Sequence, residues 1–129
     1  MMEEKRKILI VDDNPITIKA LKNLFEGNGY IVDGLEYGGQ VYEKVVNLQP
    51  DLVIMDIMMP DIDGCVACEK IKNDSKTQHI PVMILTGYGT DKNLEKSVMS
   101  KADWYMTKPY DVNFLMNTVK KLIEEKHRG

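Results

Sequence analysis

Three short runs along the chain are apolar at every position: Ile8-Leu9-Ile10-Val11, Leu52-Val53-Ile54-Met55 and Val82-Met83-Ile84-Leu85. Strands that are apolar without alternation are buried on both faces, as in a parallel sheet covered by helices. A weaker run around Trp104-Tyr105-Met106 predicts another strand, and a poorer one, Tyr30-Ile31-Val32-Asp33-Gly34-Leu35, predicts a strand at an edge. Between these runs the apolar spacing becomes helical. Asn14-Pro15 opens the first helix, Asn as its cap and Pro where no N–H is needed. Ala20, Leu21, Leu24 and Phe25 are expected to share its buried face, and Gly27-Asn28-Gly29 to stop it. A second helix is predicted from about Gln40 to Asn47, with Val41, Val45, Val46 and Leu48 apolar. A third follows Gly64 and shows Ala67, Cys68 and Ile71; a fourth, Asp91 to Met99, offers only Leu94 and Val98 as an apolar pair. The last runs from about Asp111 to Lys126, with Phe114, Leu115, Val119, Leu122 and Ile123 on one side, and the polar stretch Lys72 to Gln78 reads as a loop.

Strand and helix therefore alternate five times. That alternation predicts an α/β fold: a five-stranded parallel sheet, helices on both faces, right-handed crossovers and strand order 2-1-3-4-5. With 129 residues there is room for one domain, and no internal repeat, low-complexity tract or linker interrupts it.

Composition narrows the setting. Apolar residues at 43% and charged residues at 29% exclude global disorder. A net charge of −3 gives no reason to expect a nucleic-acid or anionic-membrane partner. No apolar run approaches the roughly 18 residues of a membrane span. The opening Met-Met-Glu-Glu-Lys-Arg-Lys, followed by a short run ending in two aspartates, does not make a signal peptide. Two cysteines cannot build a disulfide framework, so a reducing, cytoplasmic location is expected.

Chemistry gathers where the predicted strands end. The first ends in Asp12-Asp13, the third in Asp56, the fourth in Thr86 and the fifth in Lys108-Pro109. In a parallel sheet these ends share one edge, where open α/β sheets bind their ligands. Three carboxylates, a hydroxyl and an ammonium would then meet. At ~4 Å and an effective dielectric near ~20, each pair of like charges costs roughly 4 kcal/mol. A retained proton or a cation must relieve that repulsion, and an all-oxygen donor set favours a hard ion such as Mg²⁺ over zinc. A carboxylate beside Mg²⁺, Thr and Lys suits phosphoryl transfer. Asp56, ending the strand expected at the centre, is the best nucleophile; Asp12 and Asp13 read as metal holders, Thr86 as donor to a phosphoryl oxygen and Lys108 as counter-charge. Each residue alone would be an ordinary turn, cap or surface group; five together in consistent order are not.

The stretches Ile8 to Asn14, Leu52 to Gly64, Val82 to Gly87 and Ala102 to Pro109 resemble the receiver domain of two-component response regulators. The match extends over about residues 5 to 126 and implies a flavodoxin-like fold for a single receiver domain, 1–129. It implies that Asp56 takes a phosphoryl group from a phosphohistidine on a sensor histidine kinase or a histidine phosphotransfer protein. It implies that Asp13, Asp56 and the backbone carbonyl of Met58 ligate Mg²⁺, with Asp12 acting mainly through water. The amides of Met58 and Gly87 would join Thr86 and Lys108 around the phosphoryl oxygens. Lys108-Pro109 is similar to the family's lysine and its often cis proline, and Tyr105 to the aromatic that turns inward as Thr86 moves. The fourth helix, fifth strand and fifth helix would then signal to a downstream protein target. Such a domain is a phosphorylation switch or phosphorelay intermediate, not an enzyme acting on other substrates. Moving a 1:99 population to 99:1 takes about 5.5 kcal/mol, much of which one or two buried charge-assisted hydrogen bonds can supply.

The sequence departs from the family pattern at several points. Gly87 stands where alanine is frequent, Lys101 where glycine is usual before Ala102-Asp103, and Tyr110 where phenylalanine is common; Trp104 adds a large aromatic beside Tyr105. Met58 and Tyr88 occupy positions where the family tunes dephosphorylation. Cys65-Val66-Ala67-Cys68 at a helix start raises a redox reading, against which stands packing of Cys68 in the core and Cys65 at its margin. His79 and His127 are expected to be solvated. Two other classes compete. A haloacid-dehalogenase-type phosphatase would carry a second acid where this chain has Met58, and a pseudo-receiver acting without phosphorylation would not need the complete acidic set.

Overall fold

A computed structural model describes residues 4–128, the side chain of Arg128 excepted. Residues 1–3 and Gly129, which the single-domain assignment included, lie outside the described residues. In chain order the elements are β1 (Lys7–Val11), α1 (Pro15–Glu26), β2 (Ile31–Leu35), a 3-10 turn (Gly38–Gln40), α2 (Val41–Leu48), β3 (Leu52–Met55), α3 (Gly64–Lys72), β4 (Val82–Thr86), α4 (Asp91–Met99), β5 (Trp104–Thr107) and α5 (Val112–Arg128). All strand pairs are parallel and the order is β2-β1-β3-β4-β5, as the alternation predicts. β3 and β4 are buried throughout and β1 from Ile8 on, while the edge strands β2 and β5 are more open.

The period-two pleat sends alternate residues to opposite faces. Ile8, Ile10, Ile54, Met83 and Leu85 face one way and pack with Leu21 and Phe25 of α1 and Leu115, Val119 and Ile123 of α5. Leu9, Val11, Val53, Met55 and Ile84 face the other and pack with Val41 and Val45 of α2 and Cys65, Ala67, Cys68 and Ile71 of α3. The helix starts are capped where the sequence suggested: the side chain of Asn14 accepts from Ile16 N at 2.9 Å with Pro15 in the first turn.

Three helical faces differ from expectation. In α1, Ala20 is exposed; Ile18 joins Leu21, Leu24 and Phe25, so the stripe runs through 18, 21 and 25. In α5 the buried stripe is Leu115, Thr118, Val119, Leu122 and Ile123, and Phe114, in the first turn, stays 54% exposed. The largest departure is α4. Its expected apolar pair points outward, Leu94 44% and Val98 68% exposed, joined by Met99 at 81%. The inward stripe is polar: Ser97 is buried, Asn93 and Lys96 are half-buried, and Ser100 follows as a buried cap. Two of these side chains bond locally, Asn93 Nδ2 donating to Tyr88 O at 2.7 Å and Ser100 Oγ to Ser97 O at 2.7 Å. Buried polar groups with partners can line an interface that apolar groups usually fill.

The turn after α4 keeps its shape despite lacking glycine. Lys101 adopts φ +67°, while its N–H donates to Val98 O (3.0 Å) and that of Ala102 to Ser97 O (3.2 Å). That is the Schellman closure of a helix, with a side chain bearing the left-handed strain glycine avoids. The loop after α3 is tied down from within, Thr77 being buried with its hydroxyl on Ile71 O at 2.6 Å. His79 is exposed as expected, but His127 is not simply solvated: with Lys126 it meets Asp51 Oδ1, at 2.8 and 3.1 Å, while Lys7 N donates to Asp51 Oδ2 at 2.8 Å.

Candidate functional site

The sheet's register places the polar strand ends together. Val11, Met55 and Ile84 are neighbours across β1, β3 and β4. One more residue continues two of the ladders: Asp56 N donates to Val11 O at 3.0 Å and Asp12 N to Leu35 O at 3.1 Å. Lys108 N reaches Thr86 O at 2.8 Å and extends the pairing of β4 with β5. Backbone hydrogen bonds, not loop conformation, thus fix the origins of four of these five side chains.

Asp12 and Asp56 are buried and Asp13 is exposed, and one carboxylate oxygen from each lies within 4.8 Å of the others. Lys108 Nζ sits 2.8 Å from Asp12 Oδ2 and 3.5 Å from Asp56 Oδ2. Burial opposes its charge, but Asp12 and then Asp56 outweigh burial and raise its pKa, so Lys108 is fully charged at neutral pH. The lysine therefore relieves part of the carboxylate repulsion by itself, and leans more on Asp12 than on Asp56. Asp12 Oδ1 accepts from Asn14 N at 2.9 Å and Asp56 Oδ1 from Met58 N at 3.3 Å.

Divalent-ion chemistry fits this donor set. Three carboxylates supply only oxygen, and no cysteine or histidine belongs to the cluster. The three oxygens, all within 4.8 Å of one another, are near enough to converge on one small ion with a slight inward shift. The exposure of Asp13 beside two buried acids leaves a wet side, which suits an ion that keeps several waters.

The loop after Asp56 closes back on it. Met58 and Asp63 form an isolated antiparallel bridge, and Gly64 N donates to Ile57 O at 2.8 Å. A Cβ at Gly64 would stand 2.0 Å from the carbonyl oxygen of Asp56, so only glycine permits α3 to begin so close to the strand end. Asp63 caps α3, its Oδ1 accepting from Cys65 N at 2.7 Å, and its other oxygen pairs with Lys96 of α4. Asp61 holds the amides of Gly38 and Gly39, at 3.1 and 2.7 Å, and so joins this loop to the one after β2. Reasoning from strand ends missed Asp61 and Asp63, although an acid-rich loop around one glycine was visible in Asp61-Ile62-Asp63-Gly64.

On the other side of Asp56, Thr86 is fully buried and accepts from Tyr88 N at 3.1 Å, leaving its own O–H to donate elsewhere. Gly87 has open space where a Cβ would be, and Met58 and Tyr88 are 49% and 57% exposed at the rim. Tyr105 is half-buried against the face shared with α2 and α3. Its hydroxyl is inaccessible to water and has no hydrogen-bond partner; burial, with the Cys65 thiol nearby, raises its pKa. Trp104 is 38% exposed and Tyr110 half-buried, and Lys108-Pro109 is cis.

The structure thus brings together Asp12, Asp13, Asp56, Lys108 and the Met58 amide, with Thr86 buried at the end of the next strand. The redox reading of Cys65 and Cys68 loses its support. Both are buried, Cys65 more deeply than its expected marginal place, and burial pushes each thiol up to about 11. A cleft of about 640 Å³ lies at the other edge, lined by Glu4, Lys5, Arg6, Asn28, Gly29 and Tyr30, without such convergence. Among the described residues no helix is long and apolar enough to cross a membrane.

Comparison with known proteins agrees with this geometry. The family model of the response regulator receiver domain matches residues 8–120. The chain is 35% identical over 122 residues to the DNA-binding dual master transcriptional regulator RpaA of Synechocystis, covering 95% of this chain and 51% of that protein. It thus spans about half the length of that relative. It is 28% identical over 115 residues to the polar-differentiation response regulator DivK of Brucella anthropi, covering 89% of this chain and 94% of that one. A CheY-like response regulator receiver domain protein of known structure from Methanospirillum hungatei superposes with a TM-score of 0.90 at 28% identity, over 97% of this chain and 98% of that chain.

Proposed function

This chain belongs to the response regulator receiver domain family, and we propose that within it Asp56 is the phosphoacceptor. Receiver domains take phosphate from histidine kinases and signal to downstream targets; the donor proposed here is a phosphohistidine of a sensor kinase or a phosphotransfer protein. The observation that carries the reading is the convergence of three carboxylates on one spot with Lys108 bridging Asp12 and Asp56.

An oxygen of Asp56 bonds to phosphorus as the P–N bond to the donor histidine breaks, and the imidazole nitrogen keeps the electron pair. Lys108 and the amides of Met58 and Gly87 face the charge that gathers on the phosphoryl oxygens, and Thr86 donates its hydroxyl there. Asp13, Asp56 and the Met58 carbonyl would hold Mg²⁺, with Asp12 acting mainly through water; the ion would supply further neutralisation of those oxygens. Because Thr86 now bonds Tyr88 N, its turn toward the new acceptor loosens the loop before α4 and gives Tyr105 room to move. The α4–β5–α5 surface then carries the signal to a protein partner. The chain performs this chemistry on itself and turns over no external substrate. Its two free, buried thiols suit the reducing cytoplasm we propose as its setting.

The test is intact-protein mass after incubation with Mg²⁺ and a small acyl phosphate. Gain of one phosphoryl group in the wild type and none in Asp56→Asn is expected. Equal labelling of both would overturn Asp56 as acceptor, as would steady hydrolysis of other phosphate esters for the non-enzymatic role.

A further inference from the structure

α4 turns its apolar residues outward, so polar ties do much of the work of fastening it, and those ties lead back to the acidic pocket from both ends. At its start Asn93 donates to Tyr88 O at 2.7 Å, and Tyr88 N donates to Thr86 Oγ1 at 3.1 Å. Nearer its end Lys96 pairs with Asp63, whose backbone bridges Met58, whose N–H in turn reaches Asp56 Oδ1 at 3.3 Å. We propose that Lys96 is a positioning residue: through Asp63 it couples α4 to the Asp56 loop and holds the helix against displacement on activation. The proposal rests on reading Asp56 as the phosphoacceptor.

The sign follows from the two routes. As Thr86 turns its hydroxyl toward an acceptor on Asp56, its oxygen moves away from Tyr88 N, which loosens the loop that Asn93 holds through Tyr88 O. The Lys96–Asp63 pair then stands between α4 and a new position. Removing the pair favours the displaced helix, and by linkage any ligand of Asp56 that favours that form binds tighter, by up to the same factor. Both side chains are partly exposed, 37% and 29%, so the factor belongs in the range of surface ion pairs, about 1.4- to 5-fold.

The experiment titrates beryllofluoride with Mg²⁺ into wild type, Lys96→Met, Asp63→Asn and Lys96→Arg by calorimetry, and follows hydrogen exchange of α4 amides without ligand. Asp63→Asn keeps the cap on α3, and Lys96→Arg keeps the pair. Lys96→Met and Asp63→Asn should bind about 1.4- to 5-fold tighter and exchange α4 amides faster, with Lys96→Arg matching wild type. Unchanged or weaker binding by both variants, beside normal binding by wild type, would overturn the coupling alone. Unchanged α4 exchange in Lys96→Met would overturn it without reference to ligand. Failure of wild type to bind beryllofluoride would instead bring down the phosphoacceptor reading, and the coupling with it.

Discussion

Single residues show most directly where backbone geometry constrains this chain. Gly64 starts α3 against the carbonyl of Asp56, and Gly64→Ala should cost about 3 kcal/mol in urea unfolding, because backbone, not a movable side chain, blocks the added methyl. Gly87 is the opposite case. Nothing lies within 4 Å of its Cβ position and its φ is not left-handed. Gly87→Ala should therefore stabilise by about 0.4–1 kcal/mol, chiefly by restricting the unfolded chain. Lys101→Gly should also stabilise, by about 0.5–1 kcal/mol, since relief of φ +67° outweighs one exposed bond to Asn73 and the added freedom of the unfolded chain. The sequence marked Lys101 and Gly87 as unusual but could not say whether the turns survived. The positive φ and the Schellman bonds show that tertiary context kept the first turn and left its residue strained.

At the scale of elements, strands were legible because full burial leaves continuous apolar runs, and their polar ends followed from the register. Helices were legible as objects, through caps and spacing, but their orientation was less so. α4 is the clear case: reading Leu94 and Val98 as inward assumes that apolar means buried, whereas Ser97 and Ser100 are the buried positions and Ser100 Oγ finds its acceptor in Ser97 O. Asp61 escaped notice because its role is to join two loops distant in sequence. Asp61→Ala frees the amides of Gly38, which lies beside Ile62 and Met59, and of Gly39, and should loosen both loops together. The expected result is faster amide exchange in 36–40 and 57–63 alike, with β1 and α5 unchanged; exchange confined to one loop would contradict the link.

Across the whole molecule, the two edges of the sheet carry different electrostatics. At the edge opposite the acidic pocket, burial raises the pKa of Asp51, but bonds from Lys7 N–H, His127 and Lys126 outweigh it and lower the pKa. A depressed carboxyl contributes stability above its unfolded pKa of about 3.9, and that stability is lost as pH falls through the folded value. Asp51→Asn should thus lose about 1 kcal/mol at neutral pH, after allowance for partial exposure, and show a flatter acid limb below about pH 4 in pH-dependent denaturation. At the pocket edge, clustered carboxylates should make stability depend on divalent ions instead. Mg²⁺ should raise the melting temperature and chelation should reverse it, and Asp13→Asn, which removes the exposed acid of the cluster, should blunt the response.

The outward apolar side of α4 has a thermal corollary. Water around Leu94, Val98 and Met99 is structured at low cost when cold and at growing cost when warm, so a partner that covers them releases it with a negative heat-capacity change. Calorimetry of such a complex at several temperatures should show binding enthalpy growing more favourable on warming, and association fading as the solution is chilled.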